Sequence, residues 1–295
     1  MTQKFASVDD LMSQLITDIE VDGSYSGDRT GVGTKRIFGW TGKLFAGGDL
    51  LVPVIKPVNI RAVLAEFWCF TNGITNVDEL KSFGCNWWEA NLQDANKRWG
   101  TPDNRDLGPV YGAQWVKPIH SYHPTAGVST QNSQLTNLIQ TIKNNPTDRR
   151  MYVTAWNPED FEQMALPPCY HGFQVFVNNC KLDMMWHMRS CDVVLGLPHD
   201  ILFHQFLMMA LAAECGLLVG DMTITLGDTH VYNNARQAAV KLVDYANSLE
   251  LFNMSRPTIC MRNIKKFTDV HPDNITYLFE GDYLHFPRIH VDMAV

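Results

Sequence analysis

The stretch Arg189-Ser190-Cys191-Asp192-Val193-Val194-Leu195-Gly196-Leu197-Pro198-His199-Asp200 decides how this chain is read. Upstream of it, residues 173–179 alternate Phe173, Val175 and Val177 on one face. Residues 182–188 do the same with Leu182, Met184, Trp186 and Met188. Period-two alternation marks half-buried strands, and Asn178-Asn179 with the residues after them supply the turn between. Downstream, residues 200–215 read as a mostly buried helix ended by Gly216, with Asp200 placed to cap it. The stretch therefore carries an arginine, a serine and two carboxylates across a strand-to-helix junction.

Working outward, residues 7–20 read as an amphipathic helix capped by Ser7. Residues 23–34 form a Gly/Asp/Ser-rich loop ahead of a strand around Lys35–Gly39. Residues 58–72 read as a buried helix stopped by Gly73, and 134–145 as another ended by Pro146. No repeat, low-complexity linker or Pro/Gly/Ser-rich break divides the chain, so residues 1–295 read as one α+β domain.

Composition narrows the function classes. The 295 residues are 45% hydrophobic and 19% charged, enough to build a sizeable core. A net charge of -7 argues against nucleic acid as a partner, which calls for a basic face. It leaves room for a small phosphorylated ligand held by a few arginines. The N-terminal MTQKFASVDDLMSQL lacks the apolar core of a signal peptide. The apolar run 201–217 is interrupted by His204, Gln205 and Glu214, so no membrane span is expected. Seven cysteines form no CxxC pair and no metal-like cluster. That pattern fits a reduced, cytoplasmic protein without a bound metal. The Asn253 and Asn274 sequons read as chance matches.

Several short motifs carry chemistry. Leu166-Pro167-Pro168-Cys169 places a cysteine where a loop enters a strand. An isolated cysteine is usually a small buried hydrophobe, but a nearby arginine can make it a thiolate nucleophile. Glu66 stands in the apolar helical run AVLAEFWCF. A carboxylate there is costly to bury unless paired, for instance with Arg61, or protonated and used as a general acid/base. Other motifs are Asp28-Arg29-Thr30-Gly31-Val32-Gly33-Thr34, Asp106-Leu107-Gly108-Pro109-Val110-Tyr111-Gly112, Asp148-Arg149-Arg150, Ala155-Trp156-Asn157, Gly227-Asp228-Thr229-His230-Val231-Tyr232 and Met293-Ala294-Val295.

Taken in order, these motifs resemble the thymidylate synthase family over nearly the whole chain. The resemblance implies a large mixed β-sheet with helices packed on it and a sheet-to-sheet homodimer. It implies 5,10-methylenetetrahydrofolate as co-substrate and Cys169 as the thiolate that adds to C6 of a pyrimidine nucleotide. Arg29, Arg189 and Ser190 would hold the phosphate, with Arg149 and Arg150 of a second subunit; guanidinium forks suit phosphate oxygens. His230 and Tyr232 would bond the sugar, although alone they read as a structural histidine and tyrosine. Glu66 would move protons through ordered water, and Tyr111 would assist proton removal from C5. Asp192 would bind the pterin of the reduced folate. Trp88, Lys56, Leu166 and the Val295 carboxylate would complete the folate side, and the last would close the site against water.

The chain departs from the family at Asp200, where the pattern calls for Asn. Asn can donate to one ring-edge atom and accept from another, which suits uracil. Cytosine presents an unprotonated N3 and a donor N4 amine. An ionised Asp200 would accept from N4, and a protonated one would also donate to N3. Either state suits cytosine, and an ionised Asp200 would face O4 of uracil repulsively. The change resembles the dCMP hydroxymethylase branch, in which water rather than hydride ends the reaction. Tyr170 and His199 stand where His and an aromatic are usual, and both are expected to flank the base edge. Met188 replaces a Gln, Pro57 replaces a folate-side Arg, and Trp87 adds bulk. The expectation is hydroxymethylation of dCMP. Methylation of dCMP comes next, then action on CMP, dUMP methylation, or nucleotide binding without turnover.

Overall fold

The structure, a computed structural model, describes residues 2–123, 125 and 127–294. In chain order its elements are β1 (Gln3–Phe5), α1 (Val8–Asp22), β2 (Ser24–Ser26), β3 (Thr34–Phe45), α2 (Ile60–Thr71), α3 (Val77–Phe83) and α4 (Glu89–Trp99). There follow α5 (Gly112–Val116), the β4 (Pro118–His123) and β5 (Gly127–Ser133) pair, α6 (Gln134–Asn144), β6 (Tyr152–Thr154), β7 (Tyr170–Asn178) and β8 (Lys181–Asp192). The last are α7 (Leu197–Glu214), β9 (Leu218–Tyr232), α8 (Arg236–Ala246), β10 (Thr258–Ile259), α9 (Ile275–Leu278) and β11 (Phe279–Glu280).

Seven strands form the main sheet in the order β1-β3-β9-β8-β7-β6, with β2 also on β3. The β8–β9 and β1–β3 pairs are parallel and the others antiparallel. This is the mixed sheet with packed helices of an α+β fold. The β7–β8 hairpin turns through Asn179 (φ 49°) and Cys180 (φ 60°); two left-handed residues match the twist of the flanking strands. Between β8 and β9 the chain crosses through α7, as a parallel pair requires.

Local chemistry sets the helix ends. Ser7 accepts from the Asp10 N–H and starts α1, and Asn59 accepts from the Ala62 N–H and starts α2. Helix α7 differs from expectation: it begins at Leu197, with Pro198 in its opening turn, where a missing N–H costs nothing. Gly196 is its cap, and the Asp200 N–H already bonds the Gly196 carbonyl. Asp200 therefore does not cap the helix, and its carboxyl is free for another use. Strand β3 starts at Thr34 and runs six residues beyond Gly39, to Phe45, and β2 lies inside the expected loop. Gly39 and Gly42 had masked the alternation; Gly42 leaves room for the Trp40 ring, whose edge lies 2.4 Å from where a Cβ would be.

One sheet face packs under α1, α2 and α7 around Trp115, Trp186, Phe67, Phe70, Phe173, Phe203 and Phe206, all fully buried. Buried Gln205 on α7 is satisfied by the Leu51 N–H (2.7 Å) and the carbonyls of Ala46 (2.8 Å) and Asp49 (3.1 Å), which staples the post-β3 loop to the core. The opposite sheet face leaves Phe45, Tyr152 and Phe176 exposed. Among the described residues no helix is long and apolar enough to cross a membrane.

At Gly112 a Cβ would sit 1.8 Å from the Phe70 carbonyl oxygen. This contact locks α5 against α2 and leaves no side chain to yield. Gly112→Ala is expected to destabilise the fold by about 3 kcal/mol, read as a lower urea midpoint; an unchanged midpoint would show that the two helices part easily.

Candidate active site

Cys169 lies where the Pro167-Pro168 loop enters β7. Its N–H donates to the Tyr111 hydroxyl (2.9 Å), and its carbonyl accepts from the Arg189 N–H (2.9 Å). The Arg189 guanidinium in turn donates to the carbonyls of Pro168 (2.9 Å) and Pro167 (2.8 Å) and lies over the Trp156 ring. One arginine thus clamps the loop that presents the sulfur. Burial pushes the Cys169 thiol up; Arg189 and Arg29 pull it down, and Asp200 pushes it up. Nearby arginine charge lowers the thiol as expected, but desolvation is the larger influence and the net shift is upward. A neutral Asp200 would remove one of the opposing influences.

Tyr111 reaches Cys169 from an unusual backbone, φ 40° and ψ −107°. A non-glycine residue held there stores strain. Its ring is stacked on Phe70 at 5.3 Å, which fixes the hydroxyl under the cysteine.

Glu66 projects from α2 and is buried. Both Trp87 (2.7 Å) and Trp88 (2.5 Å) donate indole N–H groups to its Oε1. Arg61 is not its partner, because the two indoles occupy that place. Burial raises Glu66 to about 7, against the lowering effect of the two indoles. The folded carboxyl therefore holds its proton longer than the unfolded one. Stability from this group is present below the ordinary value of 4.5 and is lost as pH rises toward about 7. The stability of wild type minus that of Glu66→Gln should fall by about 3 kcal/mol across this window. Denaturant titrations at several pH values would read it, and a flat difference would refute the raised value.

Asp200 lies in the first turn of α7, and among the described residues nothing hydrogen-bonds its carboxyl oxygens. Burial, then the charges of Glu66 and Asp192, push it well above the usual carboxylate range, which favours its protonated form. Its backbone carbonyl accepts from His204 Nδ1 (2.7 Å), and the His204 ring is stacked 4.0 Å from Trp186. Burial lowers His204 to about 3, so this prop is uncharged. The Tyr170 ring lies 4.4 Å from Tyr111 and 4.8 Å from His204, and its buried hydroxyl has no partner.

The His199 ring packs against Trp87, meeting it edge-on at 5.3 Å, and its Nδ1 bonds the Leu195 carbonyl (2.8 Å). It lines a cleft of about 360 Å³ with Lys56, Pro57, Asn59, Trp87 and Arg288. Burial lowers it to about 4. Asp192 Oδ1 accepts from the N–H groups of Val194 (3.0 Å) and Leu195 (3.1 Å); burial still pushes its carboxyl up, against those bonds and the charges of His230 and Lys56. On β9, His230 Nδ1 bonds Asp228 (3.0 Å) and its ring meets Tyr232 edge-on. Ser190 lies in β8 opposite Asp228.

Arg29 stands exposed on a loop that Asp28 ties to Thr30 (2.7 Å) and to the Gly33 N–H (3.0 Å). With Leu166 and Pro167 it lines a second cleft of about 260 Å³. Arg149 and Arg150 lie exposed ahead of β6, Arg150 paired with Asp148 at 3.1 Å. Val295, expected to close the site, lies outside the described residues. Among the described residues no cluster of potential metal ligands is found. Sequence reasoning missed Trp87 as a donor to Glu66 and Arg288 as a cleft residue. The Trp87-Trp88 doublet was the only hint of the first.

A clamped cysteine at a strand mouth, a buried and a half-buried carboxyl that both favour protonation, and an arginine with no ion pair among the described residues make a site laid out for nucleophilic chemistry on an anionic ligand. Residues 11–295 match the family described as thymidylate synthase. The bifunctional dihydrofolate reductase-thymidylate synthase of Paramecium tetraurelia is 39% identical over 239 residues, which cover 78% of this chain and 51% of that protein. This chain belongs to the thymidylate synthase family. It spans about half the length of that curated relative.

Proposed function

We propose that the protein catalyses folate-dependent one-carbon transfer to C5 of dCMP. In this reading 5,10-methylenetetrahydrofolate, dCMP and water give 5-hydroxymethyl-dCMP and tetrahydrofolate. The observation that carries it is the Asp200 carboxyl, half-buried near Cys169, with its protonated form favoured and no hydrogen bond to it among the described residues. Its O–H can donate to N3 of cytosine while its carbonyl oxygen accepts from the N4 amine. Passing that proton to N3 would draw electrons from the ring as Cys169 adds to C6. Uracil has no lone pair at N3 to receive it.

Addition at C6 makes C5 an enamine-type carbon that attacks the methylene unit. Tyr111, beneath Cys169, assists loss of the C5 proton, and Glu66 relays protons through water. Cleavage of the bond to the folate nitrogen leaves an exocyclic methylene on the ring. Water then adds to that carbon and Cys169 departs from C6. The partnerless Tyr170 hydroxyl favours this ending, because it can hold a water where a buried polar group otherwise goes unmet. The retained Trp88 supports the second reading, hydride transfer to give 5-methyl-dCMP and dihydrofolate.

The phosphate is held by Arg29, Arg189 and Ser190, and the sugar by His230 and Tyr232. The folate meets Asp192, Trp88, Lys56 and Leu166. Arg149 and Arg150 act on the phosphate of the other subunit in a sheet-to-sheet homodimer. Exposed Phe45, Tyr152 and Phe176 on the uncovered sheet face support that assembly. A monomer in sedimentation at assay concentration would overturn it.

One experiment tests the reaction. The protein is incubated with methylenetetrahydrofolate and dCMP, CMP or dUMP; product mass separates hydroxymethyl from methyl, and dihydrofolate absorbance reports hydride transfer. Turnover on dUMP alone would leave an ordinary thymidylate synthase. Tight dCMP binding without tritium release from C5 would leave a binding protein. In the same assay Tyr170→Phe should lower the hydroxymethyl product about ten-fold. An unchanged yield would remove Tyr170 from the water step.

A further inference from the structure

Glu66 receives its two indole bonds from consecutive residues, and the residue after them is gripped by an arginine. Trp87 and Trp88 both donate to Glu66 Oε1. Glu89, the first residue of α4, lies partly exposed beside them. The Arg105 guanidinium donates Nη1 to its Oε1 (2.9 Å) and Nη2 to its Oε2 (3.0 Å). The same guanidinium donates Nε (3.0 Å) and Nη2 (2.7 Å) to the two oxygens of Asp78, in the first turn of α3. Lys81 pairs with Glu89 as well. Arg105 first and Lys81 second hold the Glu89 carboxyl down to about 2. Exposed ion pairs contribute little singly, but a planar fork that engages two carboxylates within a network fixes geometry.

Among the described residues no side chain caps α4. Its start is set instead by Glu89, one peptide beyond Trp88. The other end of the clamp is anchored to the helix that carries Glu66. Helix α2 ends at Thr71, and the chain between it and α3 is laced to the segment around Arg105. The Val77 N–H donates to the Arg105 carbonyl (2.9 Å), and the Leu107 N–H to the Thr75 carbonyl (3.1 Å). The Thr75 hydroxyl donates to Asp106 (2.9 Å). Arg105 thus stands on a frame fixed to α2 and draws the start of α4 toward it.

We propose that Arg105 is a positioning residue that, by clamping Glu89, sets the Trp87 and Trp88 indoles on the Glu66 carboxyl. It acts on the reaction only through Glu66, so its effect on turnover rests on the reading of Glu66 as the proton relay. The indole bonds favour the carboxylate, against the burial that disfavours it. A slackened clamp weakens those bonds and leaves the burial, so Glu66 keeps its proton to higher pH. Asp200 of α7, Tyr111 ahead of α5, Tyr170 of β7 and the thiols of Cys69 and Cys85 share the charge balance with Glu66. Substitutions in the clamp leave all of them in place.

The test follows Glu66 directly in the full chain. The infrared C=O band of its protonated carboxyl is titrated against pH, with Glu66→Gln as the blank. Arg105→Ala and Glu89→Ala should each raise the midpoint by about one pH unit, the ten-fold that one hydrogen bond to a charged group is worth. Turnover of the preferred nucleotide should lose roughly ten-fold in kcat, with KM kept within about two-fold. Arg105→Lys, which has no fork to span both carboxylates, should recover part of both effects. If either alanine variant fails to fold, Arg105→Lys and Glu89→Gln carry the same comparison. Opposite shifts, up for the Arg105 variant and down for the Glu89 variant, would mean that bare charge acts across space, and would overturn the clamp. So would an unmoved midpoint, whatever became of kcat. A raised midpoint with unchanged kcat would uphold the clamp and remove Glu66 from the proton relay.

Discussion

Replacing Cys169 by serine removes turnover, by a factor of about 10⁴ or more, while dCMP binding is kept within a few-fold. A serine hydroxyl is a far weaker nucleophile at neutral pH, and the charges of Arg189 and Arg29 are too small an influence to ionise so weak an acid. The backbone geometry should survive, since the Tyr111 and Arg189 bonds are made to the main chain of residue 169. Tritium release from C5-labelled dCMP reads the first effect and calorimetry the second. Release at a tenth of the wild-type rate would show that covalent addition at C6 is not the route. The pH profile adds a check. Burial and the Asp200 carboxylate hold the thiol up, so a nucleotide whose base keeps Asp200 protonated should lower the pH at which an alkylating reagent attacks Cys169.

Asp200→Asn inverts base preference. The amide can still meet the cytosine edge by orienting its NH2 toward N3 and its oxygen toward N4. What it cannot do is surrender a proton to N3. The loss falls on the transition state, so kcat/KM for dCMP should drop about 10²- to 10⁴-fold, the span of general acid catalysis. For dUMP the amide offers a fixed donor to O4 and an acceptor to N3–H, so turnover should rise or appear. The folded state should gain a little above neutral pH, because Asp200 is costly to ionise where it is buried. Parallel kcat/KM values for both nucleotides settle the matter. A variant that kept full preference for dCMP would place base choice elsewhere.

Much of the fold could be read in advance where one physical signal dominated. Alternation in 173–179 and 182–188 located β7 and β8, and Ser7 and Gly73 marked helix ends correctly. The signal failed where glycines interrupted the period, as in β3, and where Pro198 made Asp200 look like a cap instead of a first-turn residue. The candidate site divided in the same way. Residues within one contiguous motif, such as Asp192 with Val194 and Leu195, are found beside one another. The Glu66–Trp87 bond, the place of His199 beside Trp87 and the approach of Arg288 to Lys56 depend on contacts between distant segments, and no local pattern encodes those.

The parallel pairing of β8 with β9 bears on how the protein matures. Antiparallel neighbours can zip from a tight turn, but this pair must wait until α7 has crossed over and returned. Cys169 ahead of β7, Asp200 on α7 and His230 on β9 take their places only around that central pair. Contacts so far apart in sequence form late and slowly. A ribosome-bound or refolding chain would therefore stay chemically silent until the middle of the sheet has closed, and recovery of activity would trail recovery of helical signal.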